Sequence, residues 1–287
     1  MAKIRIATDS TSDIPVNVRE ELNIAVLPIS LLMGEKEYKD GYDLTPQEFY
    51  EMLENSEELP TTSRVVPVLY SELYEESYKD GYTDVILVSI NSKGSSTIQG
   101  AIMAKEEFYD EHPEAEGKMD IHIIDSKTYS MAYGLAVIEA ARMEKRGASL
   151  EEILDFINDW LENVRVLFLP LNLKFVKKSG RVSAAAAFVG DALGLKPIIT
   201  FEDGESKIVT KIRGDKKAMS EIIDITMKER KPNTPYALVY GSNLEAYDRF
   251  KELIDEKLDI PPYIEYAVGA VISLNAGPEV VAIIFHK

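Results

Sequence analysis

Residues 89–97, Ser-Ile-Asn-Ser-Lys-Gly-Ser-Ser-Thr, lie between an apolar run, Val85 to Val88, and Ile98, Ala101 and Ile102 at helical spacing. A buried strand that ends in small hydroxyl residues and turns into a helix leaves backbone N–H groups unpaired at the helix start. The helix dipole adds partial positive charge there, so the stretch can hold an anion. Ser95 or Ser96 is the expected N-cap. The alternative is a well-capped helix and nothing more. Two other stretches share this texture. Asp9 and Asp13 flank Ser10, Thr11 and Ser12, and Asp125-Ser126 closes another apolar run. A phosphatase of the haloacid-dehalogenase type needs Asp-x-Asp on such a turn, but Thr11 occupies the second position, which leaves an Asx or Ser/Thr turn as the simpler reading. Lys177-Lys178-Ser179-Gly180-Arg181 is a basic cluster suited to a phosphate or an acidic partner, or a solvated turn with Gly180 at positive φ.

The elements that must position these groups alternate between strand and helix. Strands are expected at 4–7, 24–32 (broken at Pro28), 85–88 and 121–124. Helices are expected at 16–22, 45–53, 67–79, 132–145 (amphipathic, stopped by Gly147) and 150–163. Thr45-Pro46-Gln47-Glu48 is a capping box with proline at the first helical position. Residues 34–43 read as a short hairpin and 60–67 as a hydroxyl-rich loop. Such alternation predicts a mostly parallel sheet, whose sites lie beyond the carboxyl ends of its strands. Asp9–Asp13, Ser89–Thr97 and Asp125–Ser126 then share one sheet edge. The second half is expected to hold strands at 164–169, 196–201, 207–212, 236–240, 263–272 and 280–286. A hairpin turn falls at 202–205, a basic turn at 173–183, a small-residue helix at 184–194, and helices at 216–230 and 244–258. The fold class is α/β in two domains, 1–162 with a mostly parallel sheet and 163–287 with a mixed one.

Composition narrows the chemistry. The 287 residues carry a formal net charge of -17, which argues against nucleic acid and anionic lipid surfaces. With no cysteine there is no thiol nucleophile and no thiolate metal site, and three scattered histidines, His112, His122 and His286, make no zinc cluster. Asp40, Asp43 and Asp84 lack metal-ligand spacing, and no metalloprotease, phosphate-loop or nucleophile-elbow motif is present. No apolar run reaches the about 20 residues of a membrane span. The start, MAKIRIATDS, has no signal-peptide character, so a cytoplasmic chain is expected. Binding groups without an evident catalytic engine, no metal and no cofactor are the expectation. A metal-dependent phosphoryl-transfer or hydrolytic enzyme using Asp9, Asp13 and Asp125 with magnesium is the alternative.

Several ordered stretches carry a more specific signal: TDSTSDIP, DGYDLTPQEFY, LPTTS, INSKGSSTIQGA, IDSKTYSMAYG, LKFVKKSGRVS, LKPIITFEDG with KIRGDKKA, and GAVISLNAGPEVVAI. Together they resemble the DegV family of bacterial fatty-acid-binding proteins over the whole chain. The resemblance implies a non-enzymatic two-domain α/β carrier. One long-chain acyl group would lie in an apolar tunnel with its carboxylate held at the domain junction by Thr62 and Ser95. It also implies delivery to a separate fatty acid kinase in some members, with Arg181 and Arg213 as the partner or phosphate contacts. The chain departs from that pattern in four places, the first being Arg64-Val65-Val66 after Thr-Thr-Ser where Gln-Pro-Ser is common. Asn275 stands where kinase-coupled members carry histidine, and it donates hydrogen bonds but carries no charge. Glu279 replaces a glycine, and Asp215 replaces an arginine, which weakens the expected contact with a kinase.

Overall fold

The computed structural model describes residues 2–56, 58–186, 188, 194–258 and 260–287. The chain divides into two compact units, Met1–Asp43 with Thr61–Glu162, and Leu44–Pro60 with Asn163–Lys287. The expected two-part division put residues 44–60 with the first part. Here they group with the second.

In the first unit, β1 (Ile4–Asp9), β2 (Ala25–Leu27), β6 (Asp84–Ser89) and β7 (Asp120–Asp125) form a parallel sheet in the order β2-β1-β6-β7. β6 is buried at every position, as a strand covered on both faces must be, which explains its unbroken apolar run. Parallel register sets Ser89 opposite Asp125 and Thr8 opposite Val88, so the carboxyl ends of β1, β6 and β7 share one edge. The expected strand over 24–32 divides into β2 and β3 (Ser30–Met33), which join different sheets. Pro28 lacks an amide donor and interrupts the ladder between them. β3 is the middle of an antiparallel sheet with β4 (Lys36–Lys39) and β5 (Thr61–Ser63). The Thr-Thr-Ser stretch expected as loop is therefore a strand, with Thr62 opposite Leu31.

The helices of this unit follow the sequence closely, at Val16–Glu21, Pro67–Lys79, Thr97–Glu111, Met131–Lys145 and Leu150–Asn163. The last buries Ile153, Ile157 and Trp160, one face at i, i+4, i+7. The Trp160 indole N–H donates to Ala132 O at 2.7 Å, tying it to the helix before. Helix 131–145 is not amphipathic as expected. From Met131 to Ala141 only Glu139 escapes burial, because glycine and alanine let neighbours close in on every side.

The second unit is built on a mixed sheet ordered β10-β9-β8-β13-β11-β12. Its strands are β8 (Val164–Pro170), β9 (Leu195–Glu202), β10 (Glu205–Arg213), β11 (Tyr236–Tyr240), β12 (Ile264–Ala267) and β13 (Val280–His286). Neighbours run antiparallel except β11 and β12. Leu167, Ile198, Ile222, Phe250, Ile283 and Phe285 centre its core. Asp203 and Gly204, at φ 50° and 76°, turn β9 into β10 with the twist a two-residue hairpin requires. The capping box at Thr45 forms in full and starts helix Pro46–Glu54, whose Tyr50 hydroxyl donates to Val268 O.

Two expectations are corrected here. The basic turn is mostly a helix, Leu173–Ser179, capped by the Asn172 side chain and ended by Gly180 at φ 68°. The strand expected over 263–272 ends at Ala267, and helix Ala270–Ala276 follows Gly269. Both helices are only seven residues long, too short for periodicity to separate helix from strand or turn. The small-residue helix begins at Ser183–Ala186, while residues 187 and 189–193 lie outside the described residues.

Candidate functional site

At the carboxyl edge of the parallel sheet the three polar strand ends bond to one another. Asp9, the last residue of β1, is fully buried. One carboxyl oxygen, Oδ2, accepts from Ile90 N at 2.8 Å and Ser89 Oγ at 3.2 Å. The other, Oδ1, accepts from Tyr133 Oη at 2.7 Å, from Thr11 N at 3.2 Å and from the Thr11 hydroxyl. Burial pushes the Asp9 carboxyl above the ordinary carboxylate range, although the bonds from the Thr11 hydroxyl, Ile90 N, Tyr133 and Ser89 pull it down. Burial, reinforced by the Asp9 charge, holds the Tyr133 hydroxyl far above its usual value, so it stays a donor. Asp125, at the end of β7, accepts from Ser92 N at 3.1 Å, Ser92 Oγ at 2.5 Å and Lys127 N at 3.0 Å. Asp13 accepts from the Ser130 hydroxyl and lies at φ 55°.

These bonds fix residues 89–97. Asn91 N donates to Thr128 O at 3.2 Å and its side chain to the Tyr129 hydroxyl at 2.7 Å. Asn91 O then accepts from Gly94 N at 3.0 Å and Ser95 N at 3.1 Å. Gly94 is required here, because a Cβ would stand 2.2 Å from the Tyr129 hydroxyl. Ser96 takes the N-cap position of helix Thr97–Glu111, yet its side chain makes no cap bond. The hydroxyl that meets the helix start is that of Ser95, which accepts Thr97 N at 3.3 Å and lies 2.9 Å from Thr97 Oγ1. A serine hydroxyl has one proton and two lone pairs. Thr97 N takes one lone pair, and between the Ser95 and Thr97 hydroxyls either can be the donor; when Thr97 donates, the Ser95 proton turns to a ligand.

Thr62 is exposed on β5 in the same unit. The chain leaving β5 reaches the helix that follows Ser95 near its start: Val65 O lies 3.6 Å from where a Gly100 Cβ would be. Tyr70, on the helix that follows, packs against the same glycine position and is fully buried with no partner for its hydroxyl, as is Ser12 Oγ. Asn275 belongs to the second unit, on helix Ala270–Ala276, where its amide donates to Val271 O at 2.7 Å. Arg181 is exposed and folds back on Ser179 O at 3.1 Å, and Arg213 is exposed at the end of β10. Asp215 pairs with Lys196 at 3.1 Å. Glu279 accepts from Asn172 at 3.1 Å and Asn243 at 3.5 Å, which gives it a structural place.

Asp9, Asp13 and Asp125 are each engaged by donors from neighbouring strand ends. Among the described residues the one group of three or more His, Asp or Glu able to share a cation is Glu75, Glu111 and His112, at the far ends of two helices. The magnesium alternative therefore lacks converging ligands at the strand ends. A cavity of about 430 Å³ opens elsewhere in this unit, beside β2 and lined by Arg5, Arg19 and Tyr42, and shares no residue with the strand-end loops. Thr97, Tyr129, Ser130 and Tyr133 were not singled out from sequence. A hydroxyl two residues past Ser95 was the available signal for Thr97. Among the described residues no helix is long and apolar enough to cross a membrane.

A model of the DegV family, described as uncharacterised proteins, matches residues 3–287. A DegV domain-containing protein of Caldanaerobacter subterraneus subsp. tengcongensis is 33% identical over 293 residues, covering all of both chains. Another, from Clostridium perfringens, is 31% identical over 286 residues and 99% of each chain. Among solved structures, one reporting the fatty acid binding of a DegV family protein from Thermus thermophilus has a TM-score of 0.88 at 27% identity, covering 99% of this chain and 100% of that one. DegV of Bacillus subtilis, described as a fatty acid binding protein, has a TM-score of 0.84 at 29% identity with complete coverage of both.

Proposed function

This chain belongs to the DegV family, and we propose that it binds a long-chain fatty acid without chemical turnover. The carboxylate is held by the hydroxyls of Thr62 and Ser95, with the acyl tail in an apolar tunnel. The observation that carries this reading is the Ser95 hydroxyl, half-buried beside the start of a 15-residue helix, where it accepts Thr97 N and lies 2.9 Å from the Thr97 hydroxyl. A carboxylate there gains a charge-assisted bond and the helix dipole together. The full-length likeness to two structures described as fatty acid binding supports the choice of a carboxylate over a phosphate.

The test is direct. Lipid extracted from the denatured, purified protein and analysed by gas chromatography with mass spectrometry is expected to contain long-chain fatty acid in near-stoichiometric amount. Protein that carries none, and takes up none after loading with oleate or palmitate, would remove the proposal. A second reading, delivery of the acyl group to a fatty acid kinase, draws on the exposure of Arg181 and Arg213. Its test is acyl phosphate formation from the loaded protein with ATP and such a kinase.

A further inference from the structure

Asp9, which the alternative enzymatic reading of the sequence would give to a metal, faces only donors of its own fold. We infer that Asp9 is the positioning residue of the ligand-contact loop, holding residues 89–95 in the shape that presents the Ser95 hydroxyl. This rests on the fatty-acid reading for what Ser95 contacts, but not for what Asp9 holds.

The two oxygens of the carboxyl divide their work. Oδ1 serves its own turn and helix 131–145, through Thr11 and Tyr133. Oδ2 serves the loop alone, through Ser89 Oγ and Ile90 N. One residue beyond Ile90, the carbonyl of Asn91 receives the Ser95 amide at 3.1 Å. The anchored peptide, 89–90, is two units before the peptide, 91–92, whose carbonyl fixes Ser95. Asp125 holds the same loop further on, at Ser92. The serine-rich loop is thus suspended between the last residues of its two neighbouring strands, β1 and β7.

A carboxylate is the group this arrangement calls for. Two of the five donors are backbone N–H groups, which cannot reverse direction as hydroxyls can. An amide in place of the acid would leave one of them facing another donor. A buried charge is costly, and it persists where the donors around it are preorganised.

The experiment uses the full chain and three variants. Asp9→Ser removes the acceptor from both sides, since a hydroxymethyl group is too short to reach Ile90 N. Tyr133→Phe removes one Oδ1 bond and leaves the loop side intact. Both are expected to melt lower than the parent. Amide exchange, read without any ligand, is expected to accelerate at least tenfold at Ile90 to Ser95 in Asp9→Ser and to stay at parental rates there in Tyr133→Phe. Affinity for a fluorescent fatty acid is expected to fall at least tenfold in Asp9→Ser and by less than threefold in Tyr133→Phe. Should Asp9→Ser not fold, Ser89→Ala deletes one loop-side donor and is expected to speed exchange at Ile90 and weaken affinity about threefold. Parental exchange in the loop, or parental affinity with a loosened loop, overturns the inference. Equal affinity losses in Asp9→Ser and Tyr133→Phe also overturn it. If the parent binds no fatty acid, the functional reading fails while the exchange measurement still judges the anchor.

Discussion

Replacing Thr62 and Ser95 together by alanine is the sharpest trial of the proposed carboxylate contact. Each hydroxyl would donate to a charged acceptor, a bond worth roughly 1.5–3 kcal/mol. The structure favours the lower end for both. Thr62 is exposed, so water competes for the same carboxylate oxygen. Ser95 is half-buried, and its hydroxyl already bonds to Thr97 Oγ1 at 2.9 Å, so a ligand shares or replaces an existing bond rather than meeting an unpaired group. About 1.5 kcal/mol each gives about 3 kcal/mol, or roughly a hundredfold loss of affinity. The pair shares one ligand group, so the single variants are not expected to sum to the double. Displacement of a fluorescent fatty acid, read at a temperature well below the melting transition, measures it. Ser96→Ala is the control, because the Ser96 side chain caps nothing. A double variant that binds within threefold of the parent, or a Ser96→Ala loss as large as that of Ser95→Ala, refutes the assignment.

Two further outcomes follow from the packing and the charges. Gly241→Ala places a Cβ 1.7 Å from Pro278 O and 3.0 Å from Val280 N, both backbone. It is expected to cost about 3 kcal/mol, the upper end for overpacking, and to lower the melting temperature by several degrees in a thermal scan. An unchanged transition would mean that the 241 and 278 turns separate freely. For His112, burial lowers the imidazole pKa, but hydrogen bonds and charges from Glu114 and Glu75 outweigh it and hold the group above 6.5. A pKa raised on folding stabilises fully below the unfolded value and loses that gain as pH climbs through the folded one. His112→Gln is thus expected to lower the melting temperature most between about pH 5 and 6.5 and progressively less above that. Glu75 is held low first by Lys79 and then by His112, and Glu114 in part by His112, so the same contacts also weaken below about pH 4.5. A deficit that grows with alkaline pH would reverse the sign of this reasoning.

The sequence was most readable where a local rule decides the backbone. Thr45 to Glu48 predicts a helix start because the cap needs only residues three apart, and both of its bonds form. Helices 67–79 and 150–163 were readable to the residue, since proline or an acidic first turn opens each one. Where a distant partner decides, the reading failed. Thr61–Ser63 becomes a strand because Leu31 lies opposite Thr62, some thirty positions earlier in the chain. Residues 44–60 group with the second unit through contacts such as Tyr50 to Val268, which no local pattern encodes. Apolar Ala270 to Leu274 forms a helix after Gly269, although the same residues suit a strand.

The candidate site shows the same division at the level of chemistry. That three hydroxyl-rich strand ends share an edge follows from parallel pairing, and the register of Ser89 with Asp125 bears it out. What Asp9 does there cannot follow from residue type, because an acid among serines and threonines suits a metal site and a hydrogen-bond anchor equally. Burial separates the two. A metal-binding carboxylate must keep lone pairs directed at an open position. Asp9 is 0% exposed, and five donors from three segments take its oxygens. Ser95 differs from it, a half-buried hydroxyl that accepts Thr97 N and shares a bond with the Thr97 hydroxyl. In the proposed reading the aspartates hold the loop from within, and the Ser95 hydroxyl is the group that donates to an anionic ligand.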